Sequence, residues 1–325
     1  MTLNNSLINK FRNETPVFKV VIKRGSNIES IHNVHAVVCD KKHRVLMSAG
    51  SQEYETFIRS SLKPFQSLPF ISSGTAEQIN SSNKGLAIAC ASHIGSTKHA
   101  REAFRILWNA DIDVDQLKCP IPRNKKSKLE HNCSGKHAAF LATCKKMDWP
   151  LNDYLSINHP LQIEIIRRIA EFLNITPNNI CTAVDDCGSP TLFLKLNQIS
   201  ALYAELSQAN QPELIQVTRA MIGNPELIGG LGQFDTELMN RSHGQVISKG
   251  GSEGLQCLGR IGEGMGVAIK VEDGSKRAKH AVALNILRQL EWITPTAADE
   301  LEQTIFSFSK WVQLEVIGEL KFKGG

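Results

Sequence analysis

The chain has 325 residues, 21% of them charged and 42% hydrophobic, with a formal net charge of +5; that is length enough for a substantial core and too ordinary a composition for general disorder. The modest charge and a basic run confined to Lys125, Lys126 and Lys128, with no aromatics between them, argue against a nucleic-acid partner. No apolar run is long enough to span a bilayer, residues 1–13 lack the apolar core of a secretory signal, and none of the 8 cysteines belongs to a Cys-x-x-Cys pair, so the thiols read as reduced and the protein as cytoplasmic.

In chain order, residues 17–23, 34–39 and 44–49 are rich in β-branched side chains and predict strands, the last two joined by the polar turn 40–43. A helix is expected to open near Ser60 and run to about Ser72, stopping before Gly74. Residues 85–91 form a small, apolar, buried segment that ends at Ser92-His93-Ile94-Gly95-Ser96. Helical periodicity over 97–110 assigns Ala100, Ala103, Phe104, Leu107 and Trp108 to one core stripe. The loop 118–130 then delivers His131-Asn132-Cys133-Ser134-Gly135-Lys136-His137 and a helix over 138–144. Further helices are expected at 161–173, 194–206, 213–221 and 276–290, with the polar turn 185–190 following an apolar segment at 180–184. Glycines crowd 229–254, residues 266–271 read as a strand carrying Lys270, and 311–322 as a closing strand. Strands at both ends with helices between them predict an α+β fold whose terminal segments share one sheet. Residues 1–16 are expected to be a flexible extension and 17–325 a single domain with a mostly helical middle.

Chemistry concentrates in three places. Ser60 and Lys63 stand three apart at a helix start, where one face carries both and a desolvated lysine can take the serine proton. The first-turn N–H groups add positive potential for a developing oxyanion. Spacing alone is weak, since Ser81/Lys84 and Ser307/Lys310 match it too. Ser92 and Lys270 form a second candidate hydroxyl–amine pair. Cys133, Lys136 and Cys187, with Asp185, His131 and His137 nearby in sequence, offer donors suited to a borderline cation such as zinc, or else buried free thiols.

The ordered set Arg59-Ser60-Ser61-Leu62-Lys63-Pro64-Phe65-Gln66, Ser92-His93-Ile94-Gly95-Ser96, His131-Asn132-Cys133-Ser134-Gly135-Lys136-His137-Ala138, Asp185-Asp186-Cys187-Gly188-Ser189-Pro190, Gly250-Gly251-Ser252-Glu253-Gly254 and Ile269-Lys270-Val271-Glu272-Asp273-Gly274 closely resembles the thermolabile, rhizobial-type L-asparaginase II family. That resemblance implies a serine β-lactamase/glutaminase-like fold, with an antiparallel sheet flanked by helices. It implies hydrolysis of L-asparagine to L-aspartate and ammonia, by two serine–lysine pairs, Ser60 with Lys63 and Ser92 with Lys270. Ser60 is expected to be the nucleophile and Ser92 the proton relay to ammonia, with Arg59 or Lys249 as candidates for the substrate α-carboxylate, Arg59 having a purely structural pairing as its alternative. It further implies a zinc ion held by Cys133, Lys136 and Cys187 with Asp185 nearby, substrate contacts from Arg59, His93, His137, Gly188, Gly251 and Glu253, and a homodimer. Residues 256–263 are less family-like, which leaves their part in the pocket open. Glutaminase activity in the same fold, a Ser-x-x-Lys β-lactamase or peptidase, and a non-catalytic metal-binding module are the rival readings.

Overall fold

The computed structural model describes residues 15–323. Most of the expected N-terminal extension, residues 1–14, therefore lies outside the described residues; Thr15 and Pro16 are tied to Gly50, whose N–H donates to the Thr15 carbonyl at 3.0 Å.

The central sheet has 8 strands, and its main path runs β10-β1-β2-β9-β8-β7. These are β1 (Phe18–Arg24), β2 (Asn27–Cys39), β7 (Val246–Gly250), β8 (Leu255–Arg260), β9 (Met265–Val271) and β10 (Val312–Ile317); β3 (Val45–Ala49) pairs with β2, and β11 (Lys321–Phe322) with β3. Every pairing is antiparallel, and Lys19↔Ile317 marks the join between the chain's two ends. A small second sheet joins β4 (Glu55–Phe57), β6 (Pro190–Lys195) and β5 (Cys181–Val184), and it carries the 185–190 turn toward Arg59.

Period-two alternation explains why both faces of the large sheet are covered. Val37, Cys39, Ile247, Leu255, Cys257 and Ala268 turn to one core, while Ala36, Val38, Val246, Leu258, Val267 and Ile269 turn to the other. The second core is closed by the helices Lys276–Gln289 and Pro295–Ile305; the first is covered by the helices of the middle of the chain, so the sheet is flanked by helices as expected. Helix Leu196–Gln208 lies directly on β9 because Gly266 has no side chain: a Cβ there would sit 2.1 Å from the Ser200 carbonyl oxygen. That close approach delivers Tyr203, fully buried, whose hydroxyl donates to the Ser61 carbonyl at 2.8 Å.

Three expectations are corrected. The segment 60–72 is not one helix but a 3₁₀ turn, Arg59–Leu62, followed by the short helices Lys63–Gln66 and Leu68–Ser72, because Pro64 and Pro69 each start a new turn and supply no N–H to the preceding one. On helix Thr97–Asn109 the buried face is His99, Glu102, Ala103, Ile106 and Leu107; Phe104 and Trp108 meet outside as a tilted ring pair with centroids 5.9 Å apart, Trp108 being 72% exposed. The stripe was misplaced by about one position, which on a helix is enough to turn two aromatics into solvent. The closing strand is broken at residues 318–320 into β10 and β11, which pair with different neighbours.

Candidate active site

The Arg59–Leu62 turn is held from three sides. Arg59 adopts φ +50°, a left-handed conformation that costs a non-glycine residue about 1–3 kcal/mol unless its surroundings impose it. They do: its N–H donates to Thr191 Oγ1 at 3.0 Å, Nε to Asp185 Oδ1 at 2.9 Å and Nη2 to Asp186 Oδ2 at 2.6 Å. Ser61 Oγ donates to the Lys249 carbonyl at 3.1 Å on β7, and Tyr203 closes the remaining side. Ser60 is thereby presented at a cleft of about 270 Å³ that also exposes Ser92, Asn132, Asp235, residues 250–254, Gln256, Lys276, Lys279 and His280. The Ser60 hydroxyl has no hydrogen-bond partner among the described residues.

Ser92 follows the buried helix Asn83–Ala89, and its N–H donates to the Ile228 carbonyl at 2.8 Å. Helix Ser134–Lys146 packs its N-terminus on that element at Gly135, where a Cβ would lie 2.1 Å from the Ile88 carbonyl oxygen, and so brings Asn132 beside Ser92. Two buried amines then converge on one hydroxyl. Lys63 Nζ donates to Ser92 Oγ at 2.9 Å, to the Ala91 carbonyl at 2.7 Å and to the Asn132 carbonyl at 3.2 Å. Lys249 Nζ donates to Ser92 Oγ at 2.8 Å and to the Gly250 carbonyl at 2.8 Å. Burial lowers the Lys249 pKa to about 7; Asp235 opposes this, while Lys63 and Lys279 add to it. Asp235 is fixed by Ser248 Oγ, Gly250 N and Gln256 Nε2, at 2.7, 2.8 and 2.8 Å.

The serine–lysine pairings therefore differ from those expected. Lys63 hydrogen-bonds Ser92, not Ser60, because three acceptors gathered around Ala91 draw its side chain inward. Lys270 does not meet Ser92: its Nζ donates to the Glu253 carbonyl at 2.7 Å and to the Val271 carbonyl, bracing the 251–254 turn. Lys249 takes the place expected of Lys270. The signal for it was a lysine followed by Gly250-Gly251 after the apolar run Val246-Ile247-Ser248, the Lys-x-Gly that accompanies Ser-x-x-Lys in penicillin-recognising enzymes.

Of the expected substrate contacts, Gly251 and Glu253 line the cleft. Arg59 is committed to its two aspartates. His93 is buried, bonded to Ser134 Oγ at 3.1 Å and stacked on His99, with burial holding its imidazole well below its ordinary pKa. His137 bonds Tyr154 at 2.8 Å, and Gly188 closes the 185–188 turn through a 2.7 Å bond to the Asp185 carbonyl. None of these four lines the cleft. Gln256, from the less family-like stretch, does line it.

The sulfur cluster lies behind Asn132. Cys133 caps helix Ser134–Lys146, and Lys136 Nζ donates to Cys187 Sγ at 3.2 Å, all three residues being buried. Cys133 Sγ lies 3.1 Å from Asn132 Oδ1; the neighbouring Cys187 holds the Cys133 thiol well below its ordinary pKa, with Lys63 and Lys136 in support, and the same pairing raises Cys187. His137 Nε2 is buried alongside without a hydrogen-bond partner. Among the described residues no three His, Cys, Asp or Glu side chains are grouped as metal ligands; a site here depends on Lys136. Two thiols and an amine, with Lys136 on Cys187, do fit a borderline cation in kind. Asp185 faces Arg59 instead. Among the described residues, no helix is long and apolar enough to cross a membrane.

Comparison with known proteins gives the family. The L-asparaginase II family model matches residues 20–322. No curated protein matches the chain. Among solved structures the chain is similar to one designated Mglu, in its native form, at 10% identity and a TM-score of 0.45, over 79% of this chain and 64% of that one, less than two thirds of its length. It is also similar to a β-lactamase from Mycobacterium bovis, at 11% identity and a TM-score of 0.44, over 84% of this chain and 94% of that one.

Proposed function

The chain belongs to the L-asparaginase II family and is an amidohydrolase of the asparaginase type acting on a small molecule, and we propose that it hydrolyses L-asparagine to L-aspartate and ammonia through a seryl acyl-enzyme. The observation that carries this reading is one hydroxyl, Ser92, bridged by two buried lysine amines at 2.9 and 2.8 Å in a cleft that a second serine lines.

A nucleophile needs an oxygen lone pair open to the substrate. Ser92 Oγ is locked between two amines, whereas Ser60 Oγ is unbonded at the cleft, so Ser60 attacks and Ser92 relays. Ser60 adds to the side-chain amide carbon and its proton passes to the Lys63–Ser92–Lys249 chain, which reaches the same cleft at Ser92 but makes no hydrogen bond to Ser60 before substrate binds; Lys249, at about 7, is the amine able to lose its own proton near neutrality. The N–H groups of Ser60 and Ser252 have no acceptor among the described residues and border the cleft; they receive the tetrahedral oxyanion. The carbon–nitrogen bond then breaks as the leaving nitrogen takes the relayed proton and departs as ammonia. Water, deprotonated by the same chain, splits the aspartyl ester. Glu253, exposed at the cleft, receives the substrate ammonium.

Cys133, Lys136 and Cys187 would hold the zinc ion that the family resemblance implies. When bound, it supplies positive charge behind Asn132, next to the Lys63–Ser92 contact. The homodimer and the cytoplasmic location belong to the same reading; light scattering on the purified protein tests the first. Ammonia release with asparagine and glutamine side by side tests the function. Release from asparagine that Ser60→Ala abolishes is expected; release from neither substrate rejects it.

A further inference from the structure

An amino-acid substrate brings a carboxylate into the cleft, and a carboxylate removed from water needs a fixed cation. The cations near the cleft can be taken in turn. Arg59 is held by Asp185 and Asp186, Lys63 and Lys249 hold Ser92, and Lys270, which does not line the cleft, holds the Glu253 and Val271 carbonyls. Lys276 lines the cleft but is exposed, where water competes for any anion.

Lys279 is different. It lines the cleft at 7% exposure, and its Nζ donates to the Gly251 carbonyl at 2.8 Å and the Leu255 carbonyl at 3.0 Å. Two of its N–H bonds are thus used, and the third has no acceptor among the described residues. A Cβ on Gly250 would stand 3.1 Å from this amine, 3.1 Å from Gln256 Oε1 and 3.4 Å from Asp235 Oδ2, so the glycine leaves open a space that the amine shares with these two groups. Burial lowers its pKa to about 8, with Asp235 holding it up, so the amine keeps its charge at neutral pH. The N-terminus of its own helix, capped by Ser275, adds positive potential on the same wall. Glu253 lines the same turn, which suits a substrate whose ammonium and carboxylate share one carbon.

We propose that Lys279 anchors the α-carboxylate of the substrate, so that the enzyme selects side-chain amides of free amino acids over amides whose α-carboxylate is blocked. This rests on the amide-hydrolase reading of the cleft.

The test compares L-asparagine with its α-amide, in which a neutral carboxamide replaces the carboxylate, by chromatography of the side-chain hydrolysis product. Wild-type enzyme is expected to prefer asparagine by about 10- to 100-fold in kcat/KM, the weight of a charge-assisted hydrogen bond. Lys279→Met is expected to lose most of that preference through KM for asparagine, its kcat/KM on asparagine falling about tenfold or more further than its kcat/KM on the α-amide. Lys279→Gln, which keeps a donor for the two carbonyls, should behave alike and serves where the methionine variant does not fold. Equal losses on both substrates assign Lys279 a structural role only and overturn the proposal, as does loss of the preference in Lys276→Met instead. A wild-type enzyme without the preference overturns it with no variant at all. Failure to hydrolyse either substrate would instead strike the amide-hydrolase reading itself.

Discussion

Lys249 and Lys136 are both sealed from water, at 0% and 3% exposure, yet they are pushed in opposite directions. Burial brings Lys249 down to about 7 because its contacts are a hydroxyl and a carbonyl, and Lys63 and Lys279 stand nearby with like charge. Burial acts on Lys136 too, but Cys187 and Cys133 outweigh it and raise the amine above its ordinary value. The same side chain at the same depth thus becomes a candidate base beside hydroxyls and, beside sulfur, a cation that must give up its proton before it can hold a metal. Lys63 joins the two regions, since it reaches Ser92 on one side and the Asn132 carbonyl, next to Cys133, on the other. The proposed function assigns chemistry to the hydroxyl region, and cohesion, with any ion held there, to the sulfur region.

The largest effect should come from breaking the hydroxyl region. Ser60→Ala and Ser92→Ala are each expected to lower kcat by about 10³- to 10⁴-fold with little change in thermal stability. If Ser92→Ala retained more than a tenth of wild-type turnover, the relay would be excluded. Lys249→Met should follow, with about a 10²- to 10³-fold loss. Its sign shows in the pH profile. A base must be unprotonated, so wild-type kcat/KM should rise with pH up to about 7 and fall again above about 8, where Lys279 loses the charge that holds the carboxylate, and the acid limb should vanish in Lys249→Met. A limb that persists in the variant would move the base elsewhere.

The sulfur region should respond in stability instead. Cys187→Ala leaves the buried Lys136 amine without its 3.2 Å partner and is expected to cost about 2–4 kcal/mol. Denaturant titration would read that loss, and the thiolate-to-metal absorption band of the cobalt-loaded protein should vanish with it. A variant as stable as wild type would place no weight on the cluster. The smallest effect is expected at Lys270→Met, which frees the Glu253 carbonyl and should raise KM by about tenfold or less with kcat nearly unchanged. A loss in kcat as large as that of Lys249→Met would return Lys270 to the chemistry.

Much of this was legible in the sequence, and the misses share a cause. The motifs that contain Ser60, Lys63, Ser92, Cys133, Lys136 and Cys187 marked the correct polar turns, since turns after apolar segments announce themselves locally. Which lysine reaches Ser92 did not follow. Lys249 and Lys270 both sit on strands that lead to glycine-containing turns, two places apart in one sheet, and only the pairing of β7, β8 and β9 decides which amine faces the cleft. Arg59 looked like an anion receptor because nothing local reveals that Asp185 and Asp186 already occupy it. Lys279 was hidden in a helix whose pattern is otherwise unremarkable, one turn in from its capping Ser275. The outward turn of Phe104 and Trp108 was missed for a related reason, since an aromatic pair reads as core until its neighbours are placed.

The most direct test of the account is to find which serine carries the acyl group. Rapid acid quench of the enzyme with L-asparagine, followed by peptide mapping by mass spectrometry, should place an aspartyl ester on Ser60, and Ser60→Ala should show no adduct. An ester on Ser92, or continued acylation in Ser60→Ala, would contradict the assignment of nucleophile and relay.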